Sequence, residues 1–315
     1  MTEGLAHKHS NRVLDFPPDE TTLLGAGLGF SQLGLTPIVE IPYAKYLDCG
    51  VDMFYEIAIQ HWLSSGAANG VSSKHGGMIV RLQGFDRGVF GGNFHTHNML
   101  SHMPPGVDVL CFSNGRDYVQ GMRYAVLQAK AGRIVMVVDC TYLLNLRHVH
   151  DRDRQWEFPY PVEQGEMLSY DQIRVWKAGE VDSKKASHAI VSYGNGIVTA
   201  LQARRDMVEQ GIIASERELD IIDSPYLSGV PKELGNAMEN YDGVLFADIC
   251  KEGPGSNVFS SMIMSLQQRN SLPSRWAFVG APRTYNPLGS TVTFLNRDTI
   301  QNAFVRMHSG GDAYD

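Results

Sequence analysis

Nearly all-apolar runs recur along this chain, with stretches of helical periodicity between them. PIVEI (37–41), GMIVRL (77–82), VDVLCF (107–112) and RIVMVVD (133–139) are short, rich in β-branched residues and bounded by glycine, proline or charge, so they read as buried strands. Between them, GVDMFYEIAIQHWLSS (50–65) and RDYVQGMRYAVLQAKAG (116–132) repeat apolar residues at helical spacing. Short apolar strands alternating with helices predict a parallel sheet covered on both faces. The rhythm lapses over 148–180, where charge, aromatics and prolines mix, and this stretch predicts a linker with an edge strand. It restarts in HAIVSYG (188–194), ELDIID (218–223), GVLFADI (243–249) and RWAFVG (275–280), with helices expected near 197–210, 231–240, 256–269 and 297–308. The predicted fold is α/β, built as two three-layer α/β/α domains. The first takes residues 1–150, a linker takes 151–185, and a second, smaller domain takes 186–315.

Ahead of the first strand, RVLDFPPDETTLLGAGLGFSQLGLTP (12–37) sets one carboxylate, Glu20, at the mouth of a glycine-rich helical pattern containing Gly25, Gly27 and Gly29. On physical grounds alone, Glu20 is an acid in the first helical turn, favoured there by the helix dipole. The glycines let a neighbouring element come close, so the acid is held against something rather than fully solvated.

Composition narrows the classes. A hydrophobic content of 43% with 19% charged residues excludes a disordered or membrane-embedded chain. A net charge of −7 leaves no basic footprint for nucleic acid. The start MTEGLAHKHS carries no signal-peptide core and no transit-peptide pattern, and no apolar run is long enough to span a bilayer. Cys49, Cys111, Cys140 and Cys250 form no CxxC pair and are expected to be reduced, buried thiols of a cytoplasmic protein.

Several signatures of chemistry are absent. No GxGxxG joins a strand to a helix, and there is neither a phosphate-binding P-loop nor a GxSxG elbow. The polar cluster that stands out is GVFGGNFHTHNMLSH (88–102), with His95, His97 and His102 in a glycine-rich loop. Three readings stay open for it: a catalytic imidazole, ordinary surface or core histidines, or metal ligation together with His148, His150 and Asp151.

The succession RVLDFPPDETTLLGAGLGFSQLGLTPIVEIPYAKYL, the loop ending NFHTH, HMPPGVDVL, the RDYVQGMRYAV helix, ELDIIDSPYL and GAPRTYNPLG resembles, in order and over nearly the whole chain, one known family. It is that of the β subunit of thiamine diphosphate-dependent 2-oxoacid dehydrogenases, the decarboxylating component of the pyruvate and branched-chain complexes within the transketolase-like superfamily. The resemblance implies a pyrimidine-binding domain followed by a transketolase C-terminal-like domain. It places Glu20 where the family has the glutamate that hydrogen-bonds the aminopyrimidine ring, favouring the tautomer whose imino nitrogen acts as base. Tyr46 falls where an aromatic residue packs on that ring. His95 matches the active-site histidine that holds the substrate carboxylate or the incoming lipoyl group. His97 stands where the family usually has a glutamine, and Pro42 also departs from the pattern, which leaves the identity of the 2-oxoacid open.

The family pattern begins with a further helix and strand that this sequence lacks, so the chain is expected to be a fragment of a longer reading frame, such as one fused to an α-type half, or to complete its fold differently. The Gly-Asp-Gly…Asn motif that holds Mg2+ and the diphosphate is missing: Asp242-Gly243 is not preceded by glycine, and Asn257 comes too soon. No residue of this chain is therefore expected to ligate the metal. An α-type subunit or fused half would supply that part, in a hetero-oligomer that docks on a lipoyl acyltransferase core. The alternatives are a catalytically silent assembly module, a transketolase-like or deoxyxylulose-phosphate-synthase-like C-terminal half, and, more distantly, a metal-dependent hydrolase using His95 and His97.

Overall fold

The computed structural model describes residues 4–64, 76–85, 103–177, 186–253, 258–285 and 294–309. After a single helical turn, α1 (Leu5–Lys8), the chain builds α2 (Glu20–Gln32), β1 (Ile38–Ile41), a 3-10 turn (Ala44–Gly50), α3 (Val51–Ser64), β2 (Met78–Gly84), β3 (Val107–Leu110), α4 (Gly115–Lys130) and β4 (Ile134–Cys140). The four strands form one all-parallel sheet in the order β1-β2-β4-β3. Their alternate residues divide cleanly between two faces. Val39, Ile41, Met78, Val80, Leu82, Met136 and Val138 pack on the side of α2 and α3, while Ile79, Val135, Val137, Leu110 and Phe112 pack on the side of α4.

The segment 148–177 runs largely without regular structure and ends in β5 (Arg174–Trp176), the predicted edge strand. There follow β6 (His188–Ser192), α5 (Asn195–Glu209), β7 (Leu219–Asp223), α6 (Lys232–Met238), β8 (Gly243–Lys251), α7 (Phe259–Gln268), β9 (Arg275–Ala281) and α8 (Arg297–Ser309). They make a second sheet, β5-β7-β6-β8-β9, parallel except for β5. Both sheets carry helices, as the α/β reading requires. Among the described residues, the second sheet has five strands and the first has four.

The two sheets are joined edge to edge as well as through the core. Chain leaving β7 runs alongside β3: Cys111 N donates to Pro225 O (2.9 Å), Leu227 N to Val109 O (2.9 Å) and Val109 N to Ser228 Oγ (2.7 Å). The backbone groups of an edge strand are thereby satisfied internally. Ser113, just beyond β3, donates its hydroxyl to the fully buried Asp223 at the end of β7, and Asn195 Nδ2 donates to Phe85 O across 3.0 Å. Trp156, from the connecting segment, donates its indole N–H to Ser113 O (3.0 Å) and packs 5.2 Å from Trp176.

Three of the four cysteines are buried and free, but Cys49 is exposed, against expectation. In the 3-10 turn, Ala44, Leu47 and Gly50 face inward at a spacing of three, which turns Cys49 outward. No helix among the described residues is long and apolar enough to cross a membrane.

Candidate functional site

Glu20 is the first residue of α2, half-buried, with Asp19 before it in an extended conformation (φ −137°, ψ 104°). What it is held against is the 3-10 turn that leaves the carboxyl end of β1. A Cβ on Gly50 would lie 3.0 Å from the Glu20 carbonyl carbon and 3.1 Å from its Cβ, so only glycine lets the turn sit this close. Thr21 Oγ1 donates to Cys49 O across 3.3 Å, tying the helix start to the same turn. Gly27, one helical turn past the fully buried Leu24, brings α2 down on the sheet: a Cβ there would meet Val39 Cγ2 at 2.7 Å and Met78 Cε at 2.8 Å. At Gly29 the same position opens on space, with nothing within 4 Å. The expectation that the glycines after Glu20 serve close packing therefore holds for Gly27 and not for Gly29, while Gly50, outside that expectation, serves it as well.

Tyr46 belongs to the turn that Gly50 closes. It lies on the outward side, 41% exposed, with its ring edge-on to Tyr43 at 5.8 Å and 88°. The turn is held by the Tyr46 N to Tyr43 O hydrogen bond (2.9 Å) and by the Lys45–Asp48 ion pair. A carboxylate at a helix N-terminus and an aromatic face on the neighbouring turn can together accept a ring N–H and cover one face of a flat heteroaromatic. His95, His97 and His102 lie outside the described residues, so the structure gives no geometry for them. Of the other metal candidates, His148 Nδ1 accepts from Arg154 N (2.8 Å), and His150 N donates to Asp153. Among the described residues, no group of three or more His, Cys, Asp or Glu side chains is arranged to hold a metal.

A second polar constellation went unread in the sequence. On the α4 face of the first sheet, Glu40, Arg81 and Asp139 stand on three adjacent strands. Arg81 Nη1 lies 3.2 Å from Glu40 Oε2, and Arg81 Nη2 lies 2.6 Å from Asp139 Oδ2. Gln83 Nε2 donates to the other Glu40 oxygen at 3.0 Å. Asp139 is thus paired with Arg81, and the Tyr118 phenol is a further partner of its carboxyl group. Burial pushes the Asp139 carboxyl up to about 6; Arg81 pulls it back and Glu40 adds to the rise. The Tyr118 phenol of α4, beside this pair, is pushed up by burial and then by the Asp139 charge. The signal available in the sequence was one arginine inside GMIVRL and one aspartate closing RIVMVVD, each in a run otherwise without charge.

No protein-family model matches the chain. The chain is 23% identical over 302 residues to the acetoin:2,6-dichlorophenolindophenol oxidoreductase subunit beta of Cupriavidus necator, covering 94% of this chain and 79% of that protein. It is 23% identical over 274 residues to the pyruvate dehydrogenase E1 component subunit beta of Chlorokybus atmophyticus, covering 84% and 71%. A solved structure described as a split gene transketolase, inactive beta4 tetramer, matches 98% of this chain and 87% of its own with a TM-score of 0.67 at 14% identity. The fold is therefore transketolase-like, and the resemblance to β-type dehydrogenase subunits drawn from the sequence motifs is matched by the names of these relatives.

Proposed function

We propose that this chain is the β-type half of a thiamine diphosphate-dependent 2-oxoacid dehydrogenase. With an α-type partner it decarboxylates a 2-oxoacid oxidatively and passes the acyl group to a lipoyl arm of an acyltransferase core. The observation that carries the reading is the placement of Glu20: the resemblance assigns it to the cofactor's pyrimidine ring, and the fold sets it at a helix N-terminus pressed on the turn that bears Tyr46.

These two residues fit the pyrimidine end of the cofactor. Glu20 would share a proton with a ring nitrogen, and Tyr46 would pack on the ring and exclude water from one face. When bound, the cofactor supplies the electron sink for decarboxylation. The diphosphate end and its Mg2+ find no acidic cluster among the described residues, and we assign them to the partner. His95 takes the role that the resemblance gives it, positioning the substrate carboxylate or the lipoyl group.

A partner is also supported by exposed apolar surface at the far end of α2 and along α3. Apolar residues stand in water in the chain after α2 and on α3, among them Leu33 (80% exposed), Leu63 (75%), Leu35, Ile59 and Trp62. Such a patch is characteristic of a surface covered in assembly.

The test is dye-coupled decarboxylation over a panel of 2-oxoacids by this chain co-expressed with an α-type partner, with thiamine diphosphate and Mg2+. Turnover is expected in the mixture alone, and Glu20→Gln is expected to lower it by ~10²–10⁴ while partner binding persists. Wild-type turnover in Glu20→Gln removes the role given to Glu20. A bound partner without turnover or cofactor affinity turns the reading into that of a silent assembly module.

A further inference from the structure

The three buried cysteines, far apart in sequence, gather around one turn of the second domain. Cys111 follows β3, Cys140 closes β4, and Cys250 lies near the end of β8. Cys111 and Cys140 share the sheet face of Val109 and Val138, and their sulfurs lie 3.5 Å apart although 29 residues separate them along the chain. The Gly194 turn ahead of α5 closes over both. A Cβ there would lie 2.6 Å from Cys140 Sγ and 2.8 Å from Cys111 Sγ, and its φ of 51° is one that glycine adopts readily. Cys250 is engaged elsewhere, its sulfur 3.4 Å from the Tyr193 hydroxyl.

The pair sits at the seam between the two sheets, where Cys111 N donates to Pro225 O beyond β7 and Ser113 donates to Asp223. Access differs between the two residues. A cavity of about 320 Å³ at the carboxyl end of the first sheet is bordered by Cys140 together with Arg81, Asp139 and Tyr118, and Cys140 keeps 4% of its surface exposed. Cys111 keeps none and does not border the cavity. A reagent of nearly water size therefore meets Cys140 first, with the Cys111 sulfur already in contact with it. Burial pushes the Cys111 thiol up, so it holds its proton until a neighbouring sulfur is activated.

We infer that Cys111 and Cys140 form a redox switch, a thiol pair that hydrogen peroxide or another small hydroperoxide converts to a disulfide within the folded chain. In the first step the Cys140 sulfur attacks one peroxide oxygen, the O–O bond breaks, and Cys140 sulfenic acid and one water form. In the second the Cys111 sulfur attacks the sulfenic sulfur, the S–O bond breaks, and the hydroxyl leaves as water with the Cys111 proton. Together the two thiols give up two electrons and two protons, and hydrogen peroxide is reduced to two waters. The new bond ties the carboxyl ends of β3 and β4 beneath Gly194 and closes a loop containing all of α4, which restrains the unfolded chain. The switch is separate from the cofactor half-site proposed above and does not rest on it.

The experiment exposes the folded full chain to hydrogen peroxide in native buffer, with Cys49→Ser to remove the exposed thiol, and then maps its peptides by mass spectrometry after alkylation in urea. A parallel sample is unfolded before the peroxide is added. In the native sample a Cys111–Cys140 disulfide is expected in most molecules, with Cys250 alkylated and all three thiols restored by dithiothreitol. The oxidised chain is expected to unfold at a higher urea concentration than the reduced one. Cys111→Ser is expected to stop at the Cys140 sulfenic acid, captured by dimedone. Mapping the chain that keeps both cysteines decides the matter even if Cys111→Ser does not fold. Three free thiols after native treatment, a disulfide that forms only after unfolding, pairing through Cys250, or a urea midpoint no higher than that of the reduced chain overturns the proposal. Because no turnover is read, a failure here leaves the decarboxylase reading untouched, and the reverse also holds.

Discussion

The two faces of the first sheet are made by the same strands and differ in what they tolerate. On the side of α2 and α3, every inward position from Met78 to Leu82 and from Ile134 to Val138 is apolar and buried, and glycine brings the helix into contact. On the side of α4, the apolar packing of Ile79, Val135 and Val137 gives way toward the carboxyl ends to Arg81, Gln83 and Asp139, and a cavity opens. The first face is filled by dispersion contacts and leaves no room. The second holds charges whose mutual attraction offsets only part of their desolvation. A parallel sheet can carry a site at its carboxyl edge when one face there is left polar and unfilled.

Breaking the ion array tests this contrast most severely. Arg81→Ala leaves Asp139 buried without its cation and should destabilise the protein by about 3–5 kcal/mol in urea unfolding. A loss below about 1 kcal/mol would mean that water already screens the pair.

The next effect concerns pH. The Asp139 carboxyl titrates at about 6 in the folded protein against an ordinary value of 3.8, so between those values the folded state holds the extra proton. Its contribution favours folding at acid pH and is lost as pH rises through about 6. Wild type should therefore lose about 2 kcal/mol more than Asp139→Asn between pH ~4.5 and pH ~7.5. Asp223 and Asp248, also pushed up by burial, are common to both proteins and drop out of the difference. Parallel stability curves for the two proteins would show that Asp139 stays ionised throughout.

The smallest effects come from the packed face. Gly27→Ala drives a methyl group into Val39 and Met78 and should cost about 1–3 kcal/mol. Gly29→Ala, with open space before it, should gain about 0.5–1 kcal/mol from helix propensity. If Gly29→Ala stabilises the isolated chain but weakens capture of the α-type partner, the open flank of α2 is the surface on which the partner sits.

Most of the fold was legible because it is written in local pattern. The strand at 134–140 and the helix at 115–130 fall within two residues of the runs that announced them, since an apolar strand buried on both faces leaves little ambiguity in composition. The edge strand at 174–176 was expected only as a feature of the linker, because three residues carry too little periodicity to place it. Cys49 was misjudged because burial in a 3-10 turn depends on which third of the turn meets the core.

The candidate site divides the same way. That Glu20 opens a helix and that glycines follow it are facts of the sequence, and the resemblance attached a role to them. That Gly50, thirty residues on, presses the turn bearing Tyr46 against it is a tertiary fact. The array of Glu40, Arg81 and Asp139 shows the limit most clearly. Each is an isolated polar residue in its own strand, and nothing in the spacing pairs them. The strand order β1-β2-β4 sets them side by side, and the burial there turns three ordinary charges into one cluster. Sequence determined the elements, because backbone periodicity is local. Only the tertiary structure decided which charges meet and how dry they are, because those depend on residues far apart in the chain.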